Sequence, residues 1–315
     1  MIGIMGAGAF GTALAIALAQ DGRDVTLWAR TTQDLISTRR SAKLDVPIPD
    51  TVRITDDVEQ LGSAECVLMA IPAQTLRPLL QTHATVLCRK RIVACCKGID
   101  LETLTGPVAG IRATLPDATA AILTGPSFAA DIARGLPTAL TLACADGQVG
   151  AALQSVLSTR TLRLYRTTDT IGAELGGALK NVIAIACGVA IGAGLGDSAR
   201  AALMTRGFAE MQRLAAILGA DPQTLNGLSG LGDLALTCTS DLSRNYRHGI
   251  ALGSKTSVTD GVTVEGAATS IAVANLGRLR AVDLPVCAVV ADLCAQKISV
   301  EAALQTLLSR PLKEE

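Results

Sequence analysis

Aromatic residues are scarce in this chain: one Trp, two Tyr and three Phe among 315 residues, or 2%. That leaves too few rings for a base-stacking platform of the kind that grips single-stranded nucleic acid. Net charge is also missing, since 28 basic side chains face 28 acidic ones. A general electrostatic pull towards nucleic acid or an anionic membrane surface is therefore not expected, and any anion site has to be local. Histidine is nearly absent, and neither His83, in a polar helical stretch, nor His248, beside Arg247, has an obvious partner. Both read as surface residues. The nine cysteines include no CxxC pair and no Cys/His cluster, so neither a zinc site nor a disulfide framework is supported and no metal is expected. Their scatter through apolar segments suits buried, reduced thiols in a cytoplasmic protein. No charged leader precedes an apolar stretch at the N-terminus, and a cleaved signal peptide would remove the motif described next. The most apolar segment, Val182 to Gly196, is read as a buried helix too short to span a bilayer, so no membrane insertion is expected.

What is abundant is glycine in a telling place. Met1 to Met5 reads as a short buried strand, followed by Gly6-Ala-Gly8-Ala-Phe-Gly11 and a run of helix formers to Gln20. In that context each glycine has a steric role: Gly6 for the tight turn, Gly8 for backbone approach to a pyrophosphate, Gly11 for close helix–strand packing. The helix N-terminus then offers N–H groups and a partial positive charge to a phosphate. A packing-only role for these glycines is the alternative. About twenty residues on, where an acid would bind the adenosine ribose, the run Asp24 to Arg30 ends in arginine instead. A guanidinium can pair with a 2′-phosphate in forked geometry, which favours acceptance of NADP(H). Arg30 could also be a solvated residue at the strand end or stack on the adenine.

Up to about residue 167, apolar runs at Cys66–Ile71, Arg91–Cys96, Ala118–Leu123, Pro137–Cys144 and Thr161–Tyr165 alternate with helical stretches, the pattern of a parallel sheet covered by helices. Thereafter long Ala/Leu/Gly segments appear at Ile171–Ala193, Ala199–Leu218, Val264–Leu276, Val286–Gln296 and Val300–Leu308. The expected architecture is an α/β Rossmann-type doubly wound sheet in residues 1–167, followed by an all-α domain in residues 168–315 that binds substrate.

A ketone reductase needs an acid for the carbonyl oxygen, and lysine serves when burial or a neighbouring cation lowers its pKa. Two lysines stand out. Lys97 follows a buried run at the C-terminal end of a strand, where ligands of open α/β sheets bind. Lys180 sits with Glu174 and Asn181 in a strongly apolar helix, where unpaired polar groups cost several kcal/mol to bury; snorkelling from a helix edge is the alternative. Three further clusters suit anion recognition: the turn Thr124-Gly-Pro-Ser-Phe-Ala129, the stretch from Gly230-Leu-Gly-Asp233 to Thr237, and Ser243-Arg244-Asn245. The last could also be only a helix cap.

Taken in order, Gly6–Ala15, Lys97-Gly-Ile, Gly125–Ala129, Leu179–Ala186, Ala201–Gly207, Gly230–Leu234, Thr237-Cys and Ser243-Arg-Asn245 resemble the bacterial NAD(P)-dependent glycerol-3-phosphate dehydrogenases over nearly the whole chain. The resemblance implies hydride transfer between NADP(H) or NAD(H) and dihydroxyacetone phosphate, giving sn-glycerol 3-phosphate for glycerophospholipid synthesis. It implies Lys180 as the proton-exchanging residue, Lys97 as a contact of cofactor and substrate, and Asp233 and Thr237 as polar residues that orient them. Gly125, Ser127, Ser243, Arg244 and Asn245 correspond to substrate contacts. Ala9, Phe10, Arg30, Ala129, Thr263, Glu265 and Arg244 correspond to cofactor contacts, beside Gly6, Gly8 and Gly11. Ser198 and Thr263 depart from the family pattern without removing a catalytic group. The oligomeric state is left open, a homodimer included. Competing readings are another two-domain dehydrogenase of the β-hydroxyacid or 6-phosphogluconate type, for which no carboxylate-reading motif is evident, and a non-catalytic NAD(P)H sensor.

Overall fold

The computed structural model describes residues 1–256 and 264–309, and the chain divides into two compact units. The first comprises Met1–Lys97 and Thr105–Glu174, the second Gly98–Leu104 and Leu175–Glu315.

In the first unit the strands are β1 (Ile2–Met5), β2 (Val25–Trp28), β3 (Arg53–Thr55), β4 (Cys66–Met69), β5 (Arg91–Ala94), β6 (Thr119–Thr124), β7 (Thr138–Cys144) and β8 (Leu162–Thr167). The helices are α1 (Ala9–Gln20), α2 (Gln33–Thr38), α3 (Ala73–Thr82), α4 (Ala84–Leu87), α5 (Pro107–Thr114), α6 (Ala129–Ala133) and α7 (Gly147–Leu157). The sheet order is β3-β2-β1-β4-β5-β6-β7-β8. Its first six members reproduce the doubly wound order, with the reversal of direction between β1 and β4. Strands β1, β2 and β4 are buried throughout, as expected where helices cover both faces. One apolar cluster joins Ile4, Leu14, Ile16, Leu27, Leu68 and Val93 on one face, and another joins Met5, Met69, Leu80, Ile92, Ile111 and Ile122 on the other.

Two details correct the sequence reading. A short strand, β3, was missed, and it pairs in parallel with β2 through Leu27↔Ile54. The sheet is also not parallel throughout, because β7 runs antiparallel to β6, with Leu123 opposite Leu142. An apolar run reports burial on both faces and is silent about direction. The cysteine expectation holds for seven residues, but Cys88 is exposed and Cys294 is half-buried, and none of the nine forms a disulfide.

The second unit is helical among the described residues: α8 (Thr170–Gly192, whose first turn belongs to the first unit), α9 (Gly196–Ile217), α10 (Pro222–Asn226), a π turn at Leu228–Gly232, α11 (Asp233–Thr239), α12 (Arg244–Gly253), α13 (Glu265–Leu279), α14 (Pro285–Cys294) and α15 (Val300–Leu308). Its core gathers Leu179, Ile183, Leu214, Leu234, Tyr246, Val273 and Val290. The helical segment expected at Ile171–Ala193 is α8, which takes in most of the Val182–Gly196 run read as too short to span a bilayer. By length and composition α8 could cross a membrane, yet 89% of its most apolar window is buried inside the protein. Glycines let α8 and α12 touch backbone to backbone: a Cβ at Gly188 would lie 2.9 Å from the Gly249 Cα, and one at Gly249 would lie 2.9 Å from the Gly188 Cα.

Candidate active site

The predicted site residues fall into two groups, one in each unit. In the first unit, β1 runs into a turn at Gly6, whose φ of +113° lies in the region that favours glycine and whose Cβ would press on the Ala70 carbonyl. Gly8 is the N-cap of α1, with no side chain capping the helix and no acidic residue in its first turn. A Cβ at Gly8 would meet nothing within 4 Å, so the space before the helix is open, whereas one at Gly11 would lie 2.9 Å from the Ala70 Cβ. A tight turn, an open approach and a close-packed helix start at the C-terminal end of a central strand fit the pyrophosphate of a dinucleotide. Arg30 is exposed in the bend that follows β2.

Beyond β5 the half-buried Lys97 donates through Nζ to the Gly125 carbonyl at 3.1 Å. The same Nζ stands 6.0 Å from the centre of the Phe10 ring. Gly125 follows β6 with φ +137°, and its carbonyl also accepts from the Ser127 hydroxyl at 3.2 Å. Ala129 opens α6. The structure thus brings Phe10, Lys97, Gly125 and Ser127 together beside the glycine turn.

In the second unit, Lys180 of α8 is 6% exposed and forms an ion pair with Asp233, which is fully buried. Its Nζ also donates to Thr237 Oγ1 at 3.0 Å, and that hydroxyl donates to Asp233 Oδ1 at 3.4 Å. Asp233 and Thr237 stand four apart on α11 and so share a helix face. An isolated ammonium could not be held in this apolar surround, and the carboxylate is what makes its burial affordable. The snorkelling alternative is thereby excluded. Immediately before Asp233, the π turn closes with Gly232 N–H donating to the Gly227 carbonyl at 3.1 Å. Single π turns inside helices are frequent at functional sites.

The polar clusters of the second unit are also tied together. Asn245 Nδ2 donates to Asn181 Oδ1 at 2.8 Å, and Asn245 Oδ1 accepts from the Gly266 N–H at 2.9 Å. This ladder connects α8, α12 and the first turn of α13. Ser243 caps α12 by accepting from the Tyr246 N–H at 3.2 Å, so the helix-cap reading is correct for Ser243 itself. Arg244, the first residue of α12, is exposed. Glu265 is the first residue of α13, and Thr263 lies outside the described residues.

Sequence reasoning missed Glu210 and the setting of Cys238, and it singled out Glu174 in the apolar helix without finding its partner. Glu174 is buried and accepts from the Val108 N–H at 2.9 Å, completing the N-terminus of α5. Its desolvation raises the carboxyl pKa to about 7, against the lowering effect of the Val108 hydrogen bond. Glu210, which nothing in its polar sequence neighbourhood marked, accepts from Val286 N–H at 2.7 Å and Cys287 N–H at 3.1 Å at the start of α14. Burial raises its pKa too. Finally, Cys238 lies next to Thr237, and burial with a hydrogen bond to Cys187 pushes its thiol well above the ordinary range, keeping it protonated. The histidines are also less exposed than expected. Both are half-buried; His83 meets Trp28 edge-on at 5.5 Å, and desolvation lowers the pKa of His248.

A doubly wound sheet with an open glycine turn, together with a helical unit holding a buried lysine–carboxylate pair, defines a dinucleotide-dependent dehydrogenase. Residues 1–150 match the family model described as the N-terminus of NAD-dependent glycerol-3-phosphate dehydrogenase, and residues 169–305 match its C-terminus. The chain is 59% identical to a glycerol-3-phosphate dehydrogenase [NAD(P)+] of Paracoccus denitrificans over 100% of this chain and 99% of that one. It is equally 59% identical to the protein of that name from Cereibacter sphaeroides, covering 100% of both. A crystal structure of glycerol-3-phosphate dehydrogenase from Coxiella burnetii superposes with a TM-score of 0.92 at 34% identity, covering 98% of each chain. The chain belongs to the NAD-dependent glycerol-3-phosphate dehydrogenase family, and it is an oxidoreductase that uses NAD(P).

Proposed function

We propose that this enzyme interconverts dihydroxyacetone phosphate and sn-glycerol 3-phosphate: the ketone, NAD(P)H and a proton give the alcohol and NAD(P)+. The observation that carries the reading is the buried Lys180, paired with Asp233 and hydrogen-bonded to Thr237. A positioned ammonium is the acid that a ketone needs when its oxygen gains negative charge.

In this reading residues 1–167 bind the dinucleotide and residues 168–315 carry substrate binding and catalysis. The glycine turn, with Ala9, Phe10 and Ala129, holds the dinucleotide; Arg30 reads its 2′-phosphate, and Glu265, Thr263 and Arg244 contribute further contacts. When bound, the reduced nicotinamide supplies the hydride. Lys180 gives its proton to the C2 oxygen in reduction and recovers one in oxidation. Asp233 and Thr237 hold the lysine in place, while Lys97 stabilises charge on the substrate. Gly125, Ser127, Ser243, Arg244 and Asn245 bind the substrate, with the Arg244 guanidinium on its phosphate. The exposed place of Arg244 and the embedded places of Ser243 and Asn245 suit different parts in this: the arginine reaches the ligand, and its neighbours fix the helix that carries it. We further assign the enzyme to the cytoplasm, as a homodimer, supplying the glycerol phosphate backbone for glycerophospholipid synthesis.

Consumption of NADPH and of NADH should be followed by loss of reduced-nicotinamide absorbance with dihydroxyacetone phosphate and, separately, with dihydroxyacetone. Rapid turnover that requires the phosphate is the expected result. Dinucleotide binding without turnover would overturn the assignment.

A further inference from the structure

Lys97 meets two groups from different parts of the first unit. Its Nζ donates to the carbonyl of Gly125 at 3.1 Å, and the ring of Phe10, in the first turn of α1, lies 6.0 Å away from centroid to Nζ. The carbonyl is aimed by a backbone conformation suited to glycine, with φ +137°, and it is buttressed by the Ser127 hydroxyl at 3.2 Å. The ring is planted one residue before Gly11, whose close packing against Gly6 and Ala70 leaves the start of α1 little freedom to move. A lysine side chain has four rotatable carbons and loses substantial entropy when fixed. Here an acceptor at its tip and the negative face of a ring both bear on where the ammonium stands.

The ring comes from the glycine turn itself. Phe10 follows the N-cap Gly8 by two positions, on the helix start that faces the open approach. We propose that Phe10 is a positioning residue for Lys97: its ring face holds the ammonium, so the dinucleotide-binding turn sets the position of the substrate-contacting lysine. The inference rests on the proposed role of Lys97 in substrate binding. It gives Phe10 a part distinct from packing against the cofactor, because the lost interaction is read in the handling of the ketone.

Three substitutions test it in the full-length enzyme: Phe10→Leu keeps apolar bulk and removes the ring, Phe10→Tyr keeps the ring, and Lys97→Met removes the cation. A cation–π contact at a partly exposed site corresponds to about a twofold to fivefold effect. At saturating NADPH, Phe10→Leu is therefore expected to lower kcat/KM for dihydroxyacetone phosphate by about that factor, over and above any change in the Kd for NADPH, which nucleotide fluorescence reads separately. Phe10→Tyr, which keeps the ring face, should stay closer to the wild-type value than Phe10→Leu does. In the Lys97→Met background Phe10→Leu should have no further effect. A fall in NADPH affinity that accounts for the whole loss, no recovery in Phe10→Tyr, or independent losses in the double variant would each overturn the proposal. Because the same cycle can be read in melting temperature, the coupling remains measurable without turnover. An inactive wild-type enzyme would count against the proposed reaction, and absence of thermal coupling between residues 10 and 97 would count against the positioning role.

Discussion

Replacing Gly188 with alanine tests how far the second unit depends on direct backbone contact. The new Cβ would stand 2.9 Å from both the Gly249 Cα and the Ile250 nitrogen, and nearer still to the Tyr246 carbonyl. These are main-chain atoms of α12, so no side chain can rotate away and the helix has to move. Overpacking costs about 1–3 kcal/mol, and a contact with backbone belongs at the upper end. With roughly 2–4 °C lost per kcal/mol for a chain portion of this size, the melting temperature should fall by about 6–12 °C. The shift has a chemical consequence. Asn245, on the same helix, would be drawn from its 2.8 Å contact with Asn181, and Arg244 would move with it. The KM for dihydroxyacetone phosphate should therefore rise. Gly110 provides the contrast: it lies inside α5, and a Cβ there meets nothing within 4 Å. Gly110→Ala should raise stability by about 0.5–1 kcal/mol through helix propensity alone. Thermal melts followed by circular dichroism, with steady-state kinetics on both variants, decide the matter. A Gly188→Ala enzyme that melts with the wild type would refute the argument.

Other expectations follow from the two site groups and the buried carboxylates. Lys180→Met should lose about two to four orders of magnitude in kcat, the usual scale for a general acid, with NADPH binding intact by fluorescence titration; near-normal turnover would remove Lys180 from the chemistry. Arg244→Ala should act chiefly on KM for the phosphorylated ketone, and an unchanged KM would place the phosphate elsewhere. Glu174 has its folded pKa raised from 4.5 to about 7, so between those values the folded state binds more protons than the unfolded one, and its contribution to stability is lost as pH rises through that window. Glu174→Gln keeps an acceptor for Val108 without the charge. Its melting temperature relative to wild type should therefore climb between pH 4.5 and pH 7.5, and a constant difference across that range would contradict the buried-carboxylate account.

Local patterns carried much of this molecule into view. The strand, glycine turn and helix from Met1 to Gln20 are legible because the steric demands of a tight turn and a close helix act on neighbouring residues, and the structure shows them at Gly6 and Gly11. Lys180 is legible because a charge in an apolar helix has to find a partner. Which partner it finds is a tertiary matter, since Asp233 lies 53 positions away. Strand β3, only three residues long, offers too little periodicity to register. Helix α10 has a local start signal in the Asp221 cap and Pro222, whereas the π turn after it meets α8 through contacts such as that of Gly176 against Ser229, which no local pattern announces. Glu210 looks like any surface glutamate until α14 is placed over it.

The two buried glutamates also bear on how the chain is made. Glu210 precedes the backbone it completes by 76 positions, so during vectorial synthesis the acceptor has left the ribosome well before α14. Glu174 follows Val108 by 66 positions, so α5 emerges long before the carboxylate that finishes it. A nascent or truncated chain ending at residue 167 would hold the whole eight-stranded sheet and still have an open helix end. Release of the first turn of α8 is thus the event that completes the first unit, and a fragment designed to stop at the end of β8 stops too early.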